Sequence, residues 1–226
     1  MVNNLTIIGT SHIATESIAE VKRVITELKP AVVAVELDSA RAHALFQRGK
    51  QRGIRWQDIK RIGIKGYLFS LIGAYVEKKL GERVGTTPGA EMKAAILAAR
   101  EVGAQVALID QDITITLQRF SQTLTWKEKF QLVWDLMTGF FGREKIPFDL
   151  SKVPQKELIT KLTREFKRKY PNMYQVLVVE RNIHMARHLA HLLQHTTAPV
   201  LAIVGAGHEQ EIERLVQKYI KIEDRC

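Results

Sequence analysis

Two stretches of this chain read almost alike: LTIIGTSH, from Leu5 to His12, and LAIVGAGH, from Leu201 to His208. Each is an apolar, β-branched run followed by a glycine, two small residues and a histidine. Continuous apolar runs of this kind suit strands covered on both faces, as in a parallel sheet. In an open α/β sheet, ligands bind beyond the carboxyl ends of the strands, and GTSH and GAGH both stand at such an end. The glycine lets the backbone turn where a side chain would clash. If the two strands are neighbours, His12 and His208 meet in one crevice.

Working outward, two more runs have the same character: AVVAVE (31–36) and QVALID (105–110). Helical patterns lie between them. Ser17–Leu28 places Ile18, Val21, Val24, Ile25 and Leu28 on one face, with Thr15 as a cap and Pro30 beyond the end. Ser39–Phe46 follows the second strand, and Gly89–Val102 is rich in strong helix formers and is stopped by Gly103. The expected fold class is therefore α/β: a mixed, largely parallel β-sheet flanked by helices. The middle differs. From about Arg48 to Gly85, and from about Thr114 to Val179, helix and loop are expected and no strand. WKEKFQLVWDLMTGFF and QKELITKLTREFKRKY are amphipathic at helical spacing. A long helix is expected from Asn172 to His195. With no Gly/Ser-rich or Pro-rich linker, the chain reads as one domain over 1–226, with a helical subregion at about 114–179 packed over one end of the sheet.

The acids at the strand ends carry the chemistry. AVVAVELD delivers Glu36 and Asp38, and QVALIDQD delivers Asp110 and Asp112. A bare carboxylate is costly to bury there, and a divalent cation removes that cost. Two histidines and a carboxylate make a metal site for zinc, while an oxygen-rich set also admits manganese. Equally, acids after parallel strands cap the next helix, which is the expected role of Asp38 and Asp112. Asp110 is open between a structural cap and a partner for a histidine. In VVERNIHMARHLAHLLQH (178–195) the histidines are spaced i, i+4, but the catalytic acid of H-E-x-x-H is missing, and Ala186, Leu189 and Leu193 claim the buried face. Glu180 and Arg181 are the better site candidates there, because an arginine is always charged and suits an anion. Glu91 falls in the first turn of its helix, as a dipole contact or a crevice residue.

The net charge of +10 is concentrated in 48–65 and 161–170. No RNP-like run, zinc-finger spacing or aromatic ladder accompanies it, so solvated helix faces are expected ahead of nucleic-acid binding. The lone cysteine, Cys226, closes no intrachain disulfide. The N-terminus carries no signal-peptide pattern, and the apolar stretches fall short of the ~20 residues that span a bilayer. A cytoplasmic location is the expectation.

GTSH, VAVELD, GAEM, LIDQDITITLQR, ERNIHMA and VGAGH, in that order, together resemble the TraB/PrgY pheromone-shutdown family, related to the Tiki proteins and GumN. The resemblance implies a fold similar to that of the erythromycin esterases and ChaN-like proteins. It also implies metal-dependent peptidase chemistry at His12, His208 and Glu36, with Glu91, Asp112, Glu180 and Arg181 at further family positions. Two positions depart from the pattern. Gln111 stands where a basic residue is expected, and Asn182 where an acid is expected. The leading expectation is a metal-dependent hydrolase, most simply a peptidase, with manganese, cobalt or zinc. His12 and His208 would hold the ion, Glu36 would act as ligand or general base, and Arg181 would stabilise an oxyanion or grip a substrate carboxylate. The rival is a non-catalytic protein that sequesters a peptide or small ligand. The amphipathic helices also offer a homodimer interface.

Overall fold

A computed structural model of the 226-residue chain describes residues 4–10, 15–47, 89–141 and 156–223. His12, the basic tract 48–65 and Cys226 lie outside the described residues. Four strands form one sheet: β1 (Leu5–Thr10), β2 (Val32–Val35), β3 (Gln105–Leu108) and β4 (Val200–Gly205), in the order β1-β4-β2-β3. All three pairings are parallel. The sheet is thus of the largely parallel kind expected, and its first and last strands are neighbours.

The apolar runs are continuous because both faces are covered. Val33 and Val35 of β2, with Leu201 and Ile203 of β4, pack against α1 (Thr15–Leu28) and α3 (Ala90–Glu101). The alternate residues Ala34, Ala202 and Val204 face α8 (Arg181–Gln194) and α9 (Glu209–Glu223). Successive side chains of a strand point to opposite faces, so both alternating sets are apolar. α2 (Ser39–Phe46) follows β2 and is capped by Asp38, whose carboxylate accepts the Arg41 N–H at 2.9 Å. α1 ends as expected just before Pro30, but the residue in the left-handed conformation is Lys29, at φ 44°. That conformation costs a non-glycine residue ~1–2 kcal/mol. Lys29→Gly should therefore raise stability by a net ~0.5–1 kcal/mol, or ~1–4 °C in thermal melting, after the entropy of glycine in the unfolded chain. An unchanged or lower melting temperature would show that the Lys29 side chain has a compensating contact.

The middle of the chain is helical where it is described. α4 (Ile113–Thr123), α5 (Trp126–Phe141) and α6 (Lys156–Lys169) follow β3. They meet a long helix assembled from α7 (Pro171–Tyr174), a π-helical stretch (Gln175–Glu180) and α8. A small separate core of Phe120, Leu124, Tyr170, Met173 and Val176 holds this region. Thr125 and Glu128 form a capping box at the start of α5: the Glu128 N–H donates to Thr125 Oγ1 at 3.3 Å, and Glu128 Oε2 accepts the Thr125 N–H at 3.1 Å. The same buried carboxylate accepts the Asn172 N–H at 2.8 Å, which ties α5 to the start of α7.

Candidate functional site

The site is built where β2, β3 and β4 end. Glu36 directly follows β2, and its N–H continues the ladder to Ile203 O at 3.1 Å. Its buried carboxylate then reaches across to the end of β4, where Oε2 accepts the Gly205 N–H at 2.6 Å. Gly205 is in register with Thr10 of β1. The two strands that carry the repeated phrase thus end side by side, with Glu36 over the second of them. Gly9 sits where β1 is closest to the turn after β4: a Cβ there would lie 3.0 Å from Ala206 Cα and 2.3 Å from Glu209 Oε2. The first glycine is therefore required for close approach of the two strand ends.

After Gly205 the backbone turns tightly, with the His208 N–H donating back to Gly205 O at 2.8 Å. This places the His208 ring between two helices and the strand ends. Nε2 lies 3.6 Å from Glu36 Oε1, and Nδ1 lies 2.5 Å from Asn182 Oδ1. Nδ1 faces the Asn182 carboxamide and Nε2 faces the Glu36 carboxylate, so the ring is held at both edges.

Arg181, one residue before Asn182 in α8, bridges two acids. Its guanidinium donates to Glu36 Oε1, to Asp110 Oδ1 through Nε at 3.0 Å and to Asp110 Oδ2 through Nη2 at 2.6 Å. A fourth bond runs from Nη1 to Leu177 O at 3.3 Å. Arg41 completes the chain of charges by donating to Asp110 Oδ2, and to Asp38 Oδ2 at 2.6 Å. Burial alone would raise the Asp110 carboxyl. The hydrogen bonds and charge of Arg181, then of Arg41, outweigh it and hold Asp110 at about 2, against an ordinary 3.8. Burial opposes the Arg181 charge, but Glu36 and Asp110 more than offset it and raise its pKa.

The structure thus brings Glu36, His208 and Arg181 together. Asp112 caps α4, accepting the Thr114 N–H at 2.7 Å. Glu180 pairs with Arg119 at 2.8 Å on the outside of the molecule. Glu91 is buried in the first turn of α3, just after Gly89 at φ 78°. Asp110 serves two arginines through its carboxylate, while its backbone bonds to His184. His188 in turn bonds Ile109 O at 3.2 Å. His184 and His188 of α8 therefore brace the turn after β3. Arg41 was not among the sequence candidates, although its signal was present: Asp38 and Arg41 are spaced i, i+3 immediately after the Glu36 strand.

Among the described residues no three His, Cys, Asp or Glu side chains converge as a ligand set. The nearest approach to such a set is the pair His208 and Glu36, whose Oε1 also accepts from Arg181 and whose Oε2 accepts from the Gly205 N–H. An N···O separation of 3.6 Å matches two ligands of one ion at ~2.0–2.2 Å each.

A sequence model of the TraB/PrgY/gumN family matches residues 2–221. The chain belongs to this family. An uncharacterized protein of Methanocaldococcus jannaschii is 36% identical over 218 residues, which cover 94% of this chain and 53% of that protein. A TraB domain-containing protein of Mus musculus is 25% identical over 232 residues, covering 92% of this chain and 61% of that protein. The corresponding figures for one of Homo sapiens are 24%, 92% and 61%. The chain therefore spans between half and two-thirds of the length of these relatives. Both departures from the TraB/PrgY pattern fall beside the buried charges. Gln111 is buried next to Asp110 and donates to Thr116 Oγ1 at 3.2 Å. Asn182 supplies a neutral acceptor to His208 where an acid would supply a charged one.

Proposed function

We propose that this TraB/PrgY/gumN domain is a metal-dependent hydrolase acting on peptides, with His12 and His208 holding a divalent ion such as manganese, cobalt or zinc. The observation that carries the reading is the approach of His208 Nε2 to Glu36 Oε1, 3.6 Å apart, beside the strand end that leads to His12. When bound, such an ion acidifies a water and polarises the scissile carbonyl. The chain's own residues prepare the place. Asn182 holds the His208 ring by its Nδ1 edge, so that Nε2 faces Glu36. Arg181 aims the Glu36 carboxylate, as ligand or as acceptor of a water proton. Its four hydrogen bonds favour positioning over a grip on a substrate oxyanion. A second reading has its own support: Arg181 already neutralises Glu36 without any metal, which suits a protein that sequesters a peptide or small ligand and cleaves nothing.

Metal content by mass spectrometry, on protein purified without an affinity tag, separates the two. Wild type should carry about one transition-metal ion per chain, and His12→Ala and His208→Ala should both lose it. If no ion is retained after incubation with manganese, zinc or cobalt, the hydrolase reading fails and the sequestering protein takes its place.

A further inference from the structure

Helix α5 has two unlike faces. The inner face carries Glu128, Leu132 and Asp135: Glu128 is tied to Asn172, Leu132 packs on the small core, and Asp135 accepts from Tyr170 and from Lys169. The outer face carries Trp126, Phe130 and Trp134 at i, i+4 and i+8, exposed by 66%, 72% and 69%. At 1.5 Å per residue this is a ridge about 12 Å long. Lys127 lies on one flank of the ridge and Lys129 on the other, with the Lys129 ammonium 5.0 Å from the centre of the Trp126 ring. Both acids among the described side chains of α5 are on the inner face. The outer face thus combines large aromatics with cations and carries no described acid. Monomeric proteins rarely leave such a patch without a use.

We propose that this face docks onto the surface of an anionic phospholipid bilayer, lying in the interface without crossing it. Indole and phenyl rings partition to the headgroup boundary, and flanking lysines reach anionic headgroups while their stems stay apolar. Interfacial helices have this arrangement of an aromatic ridge edged by cations. No described helix is long and apolar enough to cross a membrane, so docking is peripheral. The cleft of about 450 Å³ beside the ridge is of mixed charge, with Arg168 paired to Glu165 and Lys169 to Asp135, so the positive edge is that of Lys127 and Lys129. Two other occupants fit less well. A second copy would set Lys127 and Lys129 against like charges. Single-stranded nucleic acid needs a groove of separate ring platforms, whereas the Trp126 and Phe130 rings lean on one another, 6.3 Å between centres, on a convex helix.

The test uses the full chain with vesicles of phosphatidylcholine, alone or with about one-third phosphatidylserine. Co-sedimentation is expected with the anionic vesicles only, and should weaken with added salt. Replacing Trp126, Phe130 and Trp134 together by serine should abolish it, with helix content by circular dichroism unchanged. Lys127→Gln with Lys129→Gln should weaken partitioning by about 25-fold, at roughly five-fold per lysine lost. No binding to anionic vesicles, or binding that survives the serine replacements, overturns the proposal. So does a dimer, or a complex with a single-stranded oligonucleotide, that depends on the same three aromatics while vesicles are ignored.

Discussion

Asp110→Asn should lower the unfolding free energy by about 3–5 kcal/mol, the cost of leaving buried charges without their partner. In a domain of this size that is a fall of roughly 10–15 °C in melting temperature. Asp110 has a fully buried side chain and stands between the guanidinium groups of Arg41 and Arg181. An amide in its place keeps the volume but loses the charge, and it turns an N–H pair toward two cations. The replacement Arg41→Leu in the same chain should recover part of the loss, because one of the two stranded cations is then gone. Dependence on pH gives a second readout. The native carboxyl is depressed to about 2 from 3.8, so its contribution is fully present above the unfolded value. It is lost as the pH falls through the folded one. The gap between wild type and Asp110→Asn should hold steady above that window and narrow within it. A gap that stays constant down to the lower end would mean that the Asp110 carboxylate is not what links the two arginines.

Glu36→Gln is expected to have the largest effect on activity. Under the hydrolase reading, peptide cleavage in the presence of metal should fall by about 10²–10⁴-fold, the loss typical of a positioned acid or base. The fold should survive better than in Asp110→Asn. A glutamine oxygen can still accept the Gly205 N–H, and Arg181 keeps both of its bonds to Asp110. Mass spectrometry of a peptide pool, with metal binding followed by calorimetry, separates loss of chemistry from loss of the ion. A variant as active as wild type would remove Glu36 from the reaction and leave it as the brace of the β4 turn.

The sheet was legible because its strands are short apolar runs with few competing readings. QVALID gives β3 at Gln105–Leu108, and WKEKFQLVWDLMTGFF coincides with α5. The caps at Asp38 and Asp112 were legible for the same local reason. Strand order was not, since pairing β1 with β4 is a contact between chain ends that no window of sequence contains. Nor was the stagger of the repeated phrase. Gly9 faces Val204 and Gly205 faces Thr10, so matching letters are offset by one residue, and side-chain direction reverses with every residue. The two phrases converge without being symmetric. Of the two bonds that Arg41 makes, the one to Asp38 is local and readable, whereas the one to Asp110 joins positions 69 apart and lies in no single window of sequence. Asn182 was seen only as a departure from an expected acid, whereas its position makes it the group that orients His208.

The π-helical stretch from Gln175 to Glu180 acts as a gear change within a single rod. A π turn holds one residue more than an α turn, so the two halves of the helix run out of phase. Met173 and Val176 face the small outer core, while Asn182, Met185 and Leu189 face the sheet side. Had the helix stayed α throughout, the residues from Arg181 onward would be rotated about the axis relative to the small core, and the pair Arg181 and Asn182 would point elsewhere than at the strand ends. The surplus residue sets the bearing of the arginine on its two acids separately from the packing of the outer helices.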